Sequence, residues 1–151
     1  MLQQIRKASP FDIEDIIEML KEYRANMPYG FLQDADDKDY VISMLSSLMA
    51  GQGIVLIGLQ DNKPAGMLIA GAMPSLWSPK HIMLTEFAFW VKPANRGGTM
   101  GYRLLHKYLA EGIKMKESGR VTNLFLSKMI NSPDLNYERL GFRKLEEFWV
   151  M

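Results

Sequence analysis

The chain contains no cysteine, which excludes both a disulfide framework and thiolate catalysis. Histidine is nearly as scarce. His81 and His106 are the whole supply, too few to build an imidazole metal site, and no metal is expected. A charge excess of either sign is also missing. Lysine plus arginine number 18 against 17 aspartates and glutamates, a balance that argues against a strong grip on nucleic acid. No apolar run is long enough to cross a bilayer or to serve as an N-terminal signal, so no membrane partner and a cytoplasmic location are expected. The Gly-Lys-Ser/Thr loop of ATP- and GTP-binding proteins is lacking as well. What is present is 151 residues, 48% of them apolar, enough for one core and a single domain over residues 1–151.

The most informative stretch runs from Glu86 to Gly101, EFAFWVKPANRGGTMG. An apolar run (Phe87, Phe89, Trp90, Val91) stops at Pro93, two glycines follow Arg96, and an amphipathic segment begins near Thr99. Strand, glycine turn and helix in that order collect backbone N–H groups at a helix N-terminus, a site for phosphate. Around this stretch the periodicities alternate. Residues 2–7 read as a strand. Ser9-Pro10 opens a helix whose Ile13, Ile16, Ile17, Leu20 and Tyr23 share a face. A polar loop over 27–37 leads to a second helix near 40–48. Strands are expected at 54–59, 65–72 and 81–91, a long helix at 100–117, a parallel strand at 121–126, a short helix at 133–140 and a closing strand at 142–150. The result is an α/β fold with a mixed sheet, in the order β-α-α-β-β-β-α-β-α-β.

Three motifs sit within that order. Arg96-Gly97-Gly98-Thr99-Met100-Gly101 follows Glu86, Val91 and Pro93, and Tyr137 stands four residues before Gly141-Phe142. Together they resemble the GCN5-related N-acetyltransferase family, whose cofactor signature is Arg or Gln, two variable residues, Gly, one variable residue, then Gly or Ala. The LWSP loop and the FWVKPANRGG run are similar to small phage-type members. The resemblance implies acetyl-CoA as donor and an amine of a small molecule or protein as acceptor, joined by direct attack through a tetrahedral intermediate. It implies a bulge that splays the strand before the glycine turn. Main-chain groups of Phe89 and Val91 would then pair with the pantetheine arm, and an N–H near Phe89 or Trp90 would hold the oxyanion. N–H groups of Arg96, Gly97, Gly98, Thr99, Met100, Gly101 and Tyr102 would surround the pyrophosphate.

Each residue also has a plainer reading. Glu86 is the base the resemblance implies, or a carboxylate paired on a sheet face. If no bulge intervenes, it shares a side with Ala88 and Trp90. Tyr137 is the general acid, or a core tyrosine with a satisfied hydroxyl. Tyr29 and Phe31, beside Asp34, Asp36 and Asp37, would line the acceptor side, unless those aspartates only start the second helix. The segment Pro74–Lys80 would lie over the site. Thr99, where the family has glycine, either crowds the pyrophosphate or donates to it. A chain ending soon after Phe142 has room for one strand where relatives have two. Both departures favour the alternative of an inactive relative that binds a protein partner. The sheet edge near Phe148, Trp149 and Val150 implies a homodimer.

Overall fold

Alternation along the central strands decides the architecture. A computed structural model describes residues 2–151. Five strands lie in the order β1 (Gln3–Lys7), β2 (Gly53–Gln60), β3 (Lys63–Pro74), β4 (Ile82–Val91) and β5 (Asn123–Phe125). Pairing is antiparallel from β1 to β4 and parallel between β4 and β5. Three helices flank them: α1 (Ile13–Ala25), α2 (Lys38–Ser47) and α3 (Met100–Glu117). On β2 and β3, Ile54, Leu56, Leu68 and Ala70 pack with Leu104, Leu105 and Tyr108 of α3. Their neighbours Val55, Ile57, Met67 and Ile69 pack with Ile16, Ile17 and Met19 of α1 and Leu45 of α2. A period of two thus buries both faces of one sheet between two helix layers. α3, lying between β4 and β5 in the chain, supplies the crossover that a parallel pair needs.

Ser9 and Pro10 do begin a helix, through a 3-10 turn (Pro10–Asp12) that leads into α1. The Asp12 carboxylate accepts the Ser9 N–H at 2.8 Å and a two-pronged contact from Arg6 at 2.6 and 2.9 Å. The Arg6 contact, more than any other, holds its carboxyl below the usual range.

The C-terminal third departs from expectation. β5 has three residues, the helix expected at 133–140 is a 3-10 turn (Tyr137–Leu140), and the strand expected at 142–150 is absent from the described residues. The cause of the last is visible in its sequence. Arg143-Lys144 and Glu146-Glu147 are polar doublets and Phe148-Trp149 an apolar one, so no extended register gives that segment one apolar face. Phe148 and Trp149 are exposed instead, at 91% and 86%.

Candidate active site

One extra residue in β4 begins the site. Ile69 pairs with Ala88 and Ala70 with Glu86, leaving Phe87 without an opposite number. This bulge lies upstream of the expected Phe89–Trp90 position, and it reverses the facing of the residues beyond it. Ala70 belongs to the core beside α3, whereas Ile69, Ala88 and Trp90 belong to the core beside α1 and α2. Glu86 therefore does not share a face with Ala88 and Trp90.

On its other edge β4 pairs with β5 only over Met83–Thr85, and from Glu86 onward the two strands part. Tyr108 sits at the fork, its hydroxyl 2.8 Å from the Phe125 carbonyl and 3.1 Å from that of Leu84. Gly112 brings α3 down onto the same place. A Cβ there would lie 2.3 Å from a methyl of Leu124.

The gap beyond the fork is lined by main chain. The Lys92 N–H donates to the Ala65 carbonyl at 2.8 Å. By antiparallel alternation Trp90 also turns its N–H and carbonyl to β3, while Phe89 and Val91 present theirs to the gap. Of the two N–H groups expected to hold an oxyanion, only Phe89's is free for it. At the far end Gly97 takes a left-handed φ of +87°, and the N–H groups of Gly97 through Tyr102 donate to no acceptor among the described residues. Arg96 differs, because its N–H closes a turn on the Pro93 carbonyl at 3.3 Å. Its side chain turns back, with Nε donating to the Val91 carbonyl at 2.8 Å and the guanidinium 4.5 Å from the Trp90 ring centre. The Thr99 hydroxyl donates to the Gln3 side chain at 3.0 Å, so this side chain points to β1 and away from the glycine loop. Met100 is buried in the α3 core and offers the loop only its N–H.

Glu86 closes the gap from below. It is 5% exposed, and its Oε1 accepts the Ser127 N–H at 3.0 Å and the Ser127 hydroxyl at 2.9 Å. Burial pushes its pKa up to about 6, with Ser127 pulling the other way. The Tyr137 hydroxyl donates to the Ser127 carbonyl at 3.0 Å. Burial and the nearby Glu86 charge hold the Tyr137 phenol well above its ordinary value, so it stays protonated. Tyr23 of α1 is pushed up to about 12 by the same two causes, and it meets Trp90 edge-on at 6.2 Å. The fold thus brings Glu86, Phe89, Trp90, Val91, Arg96 and Tyr137 to one cleft, together with Ser127, Tyr23 and Met27.

The last three carry only faint sequence signals. Tyr23 reads as one more residue of a helical stripe. Ser127 follows the carboxyl end of a parallel strand, where ligand sites of open sheets collect.

Tyr29 and Phe31 are not among the residues that line this cleft. Tyr29 is 83% exposed and takes a left-handed φ of 62°. The outer wall comes instead from Asn26 and Met27 on one side and Met129, Ser132 and Pro133 on the other. Asp37 does start the second helix, accepting the Tyr40 N–H at 3.0 Å. The 75–81 connection also stands apart from the cleft, at the end of β4 where β5 is still paired, with Trp77 88% exposed.

No protein-family model and no curated protein sequence matches this chain. Solved structures do. A transcriptional regulator from Bacillus halodurans C-125 is similar at a TM-score of 0.72 over 99% of both chains, with 21% identity. A predicted acetyltransferase with acetyl-CoA from Clostridium acetobutylicum reaches 0.70 at 12% identity, over 99% of this chain and 96% of that one. An aminoglycoside acetyltransferase, meta-AAC0020, from an uncultured soil metagenomic sample in complex with sisomicin reaches 0.64 at 14% identity, over 99% and 95%. At these identities the likeness is one of fold.

Proposed function

Given the fold of the GCN5-related N-acetyltransferases, which this chain has, we propose that it moves an acetyl group from acetyl-CoA to a primary amine of a small molecule or protein. One observation carries the reading. β4 parts from β5 at Glu86, leaving a strand edge that leads to six N–H groups at a helix N-terminus that no described residue accepts from. An extended pantetheine arm suits that edge, since it can take main-chain bonds from Phe89 and Val91 as an added strand would. The pyrophosphate suits the N–H groups of Gly97 to Tyr102 and the positive end of α3. Thr99 is no obstacle, because its side chain leaves the loop for Gln3.

Acetyl-CoA supplies an acyl group activated as a thioester. The protein's part is proton management and charge. Glu86, ionised above about pH 6, takes the proton that an ammonium must lose before its nitrogen can attack. The Phe89 N–H holds the carbonyl oxygen as negative charge grows on it. Tyr137 keeps its proton at neutral pH and gives it to the sulfur as the carbon–sulfur bond breaks, and the second proton lost by the attacking nitrogen restores the phenol.

A second reading, a non-catalytic protein that acts by binding another protein, draws on Arg96, whose side chain already occupies the Val91 carbonyl. Calorimetric titration with acetyl-CoA separates the two. Saturation near one per chain, with a Kd of micromolar order (about −8 kcal/mol), is expected. Tyr137→Phe should keep that binding and lose about 100-fold or more in kcat. No heat at millimolar acetyl-CoA would overturn the transfer reading.

The same proposal includes a homodimer. β5 ends the sheet with an outer edge that no described strand covers, and apolar Phe148 and Trp149 stand exposed in the segment beyond it. Sedimentation at micromolar concentration should give twice the chain mass, and a monomer mass would count against it.

A further inference from the structure

The cleft's acceptor end is poor in negative charge and bounded in width. Among the described residues Glu86 is the one carboxylate on its walls. Two cations lie over its aromatics, Arg96 over Trp90 at 4.5 Å and Lys128 over Tyr137 at 4.6 Å. The carboxylates just outside are already engaged. Glu22 accepts the Trp90 indole N–H at 3.1 Å and pairs with Lys92. Asp134 pairs with Lys128 at 2.7 Å. A substrate's second ammonium would therefore shed its water with no free anion to receive it, which is costly in a partly buried site. The outer part of the lining combines the apolar or aromatic Tyr23, Met27, Met129 and Pro133 with the uncharged polar Asn26 and Ser132.

A tie joins the two outer walls. The Asn131 side-chain amide donates to the Asn26 carbonyl at 2.7 Å. This bond joins the end of α1 to the segment after β5, which are the two outer walls of the cleft. Asn131 itself stands between Met129 and Ser132, two residues of the cleft lining.

We infer that the acceptor is a compact primary monoamine carried on an apolar body, and that Asn131 limits how bulky that body can be. The inference rests on the acetyl-transfer reading and sharpens it. One ammonium meets the one buried carboxylate, and its carbon frame lies against Tyr23, Met27 and Met129. Sisomicin, which the soil acetyltransferase was solved with, is the opposite kind of molecule, broad and several times charged.

The test is thiol release from saturating acetyl-CoA by the full chain, with 2-phenylethylamine, spermidine and sisomicin as acceptors. Phenylethylamine should exceed both polycations at least tenfold in kcat/KM. Asn131 is exposed, so Asn131→Ala should fold. It should raise the sisomicin-to-phenylethylamine ratio at least tenfold while changing the Kd for acetyl-CoA less than twofold. Equal or better use of either polycation would overturn the acceptor class. An unchanged ratio in the variant would overturn the role of Asn131. Calorimetry on the same sample tells the two layers apart. Bound acetyl-CoA with no transfer to phenylethylamine sinks the acceptor class alone, whereas no binding removes the transfer reading and this inference with it.

Discussion

Glu86 answers to two opposed demands. Burial makes its ionised form costly, yet the proposed chemistry needs that form. Its folded pKa of about 6 stands above the ordinary 4.5, so folding favours the protonated carboxyl. Its contribution to stability is whole below about pH 4.5 and is lost as pH rises through 6. The loss is on the order of 2 kcal/mol above that window. Glu86→Gln should therefore melt higher than the parent at pH 7 and alike at pH 4.5. It should also lower kcat by about 100-fold or more and erase an acid limb in kcat near pH 6. A variant that melts lower at pH 7, or that keeps the limb, would contradict these roles. That Glu86 and Tyr137 come to the cleft is legible in the sequence through the motifs that flank them. The Ser127 contact is not, since a side chain that meets its partner 41 residues away leaves no local periodicity.

At the level of elements, the fork between β4 and β5 shapes the site, and Tyr108 braces it from α3. Tyr108→Phe leaves the ring in place and removes the hydroxyl that contacts two carbonyls. A loss of about 1–3 kcal/mol is expected, the usual cost of stranding a buried acceptor, and chemical denaturation of the two proteins checks it. No change in midpoint would show that the brace is idle. Alternation in β2 and β3 is plain in the sequence because each face of the sheet has its own helix layer. The bulge's position is hidden because Phe87 opens a run of five apolar residues, and nothing in FAFWV shows which residue is the extra one. The polar-apolar doublets after Phe142 resemble a strand in residue type but have no face to bury. Tyr29 and Phe31 lie in the loop before α2 and are not part of the cleft lining, Tyr29 being 83% exposed on a left-handed backbone.

Taken whole, the molecule joins its two cleft walls by unequal means. The wall made by β4 belongs to a four-stranded antiparallel sheet, whereas β5 is held by three registered pairs across an 18-residue helix. Contacts of such long sequence separation form late in folding, and small attached units open before the core does. Amides of Asn123–Phe125 should thus exchange with solvent faster than those at the centres of β2 and β3, and a reversed order by hydrogen-exchange mass spectrometry would refute this. The proposed donor fills the place of a missing strand between the two walls. At 100 times its Kd it would add about 2.7 kcal/mol to the folded state by mass action. That gain would fall mainly on the β5 side, which would then ravel less often while substrate is on board. The chain would be most vulnerable to proteases when the proposed donor is scarce.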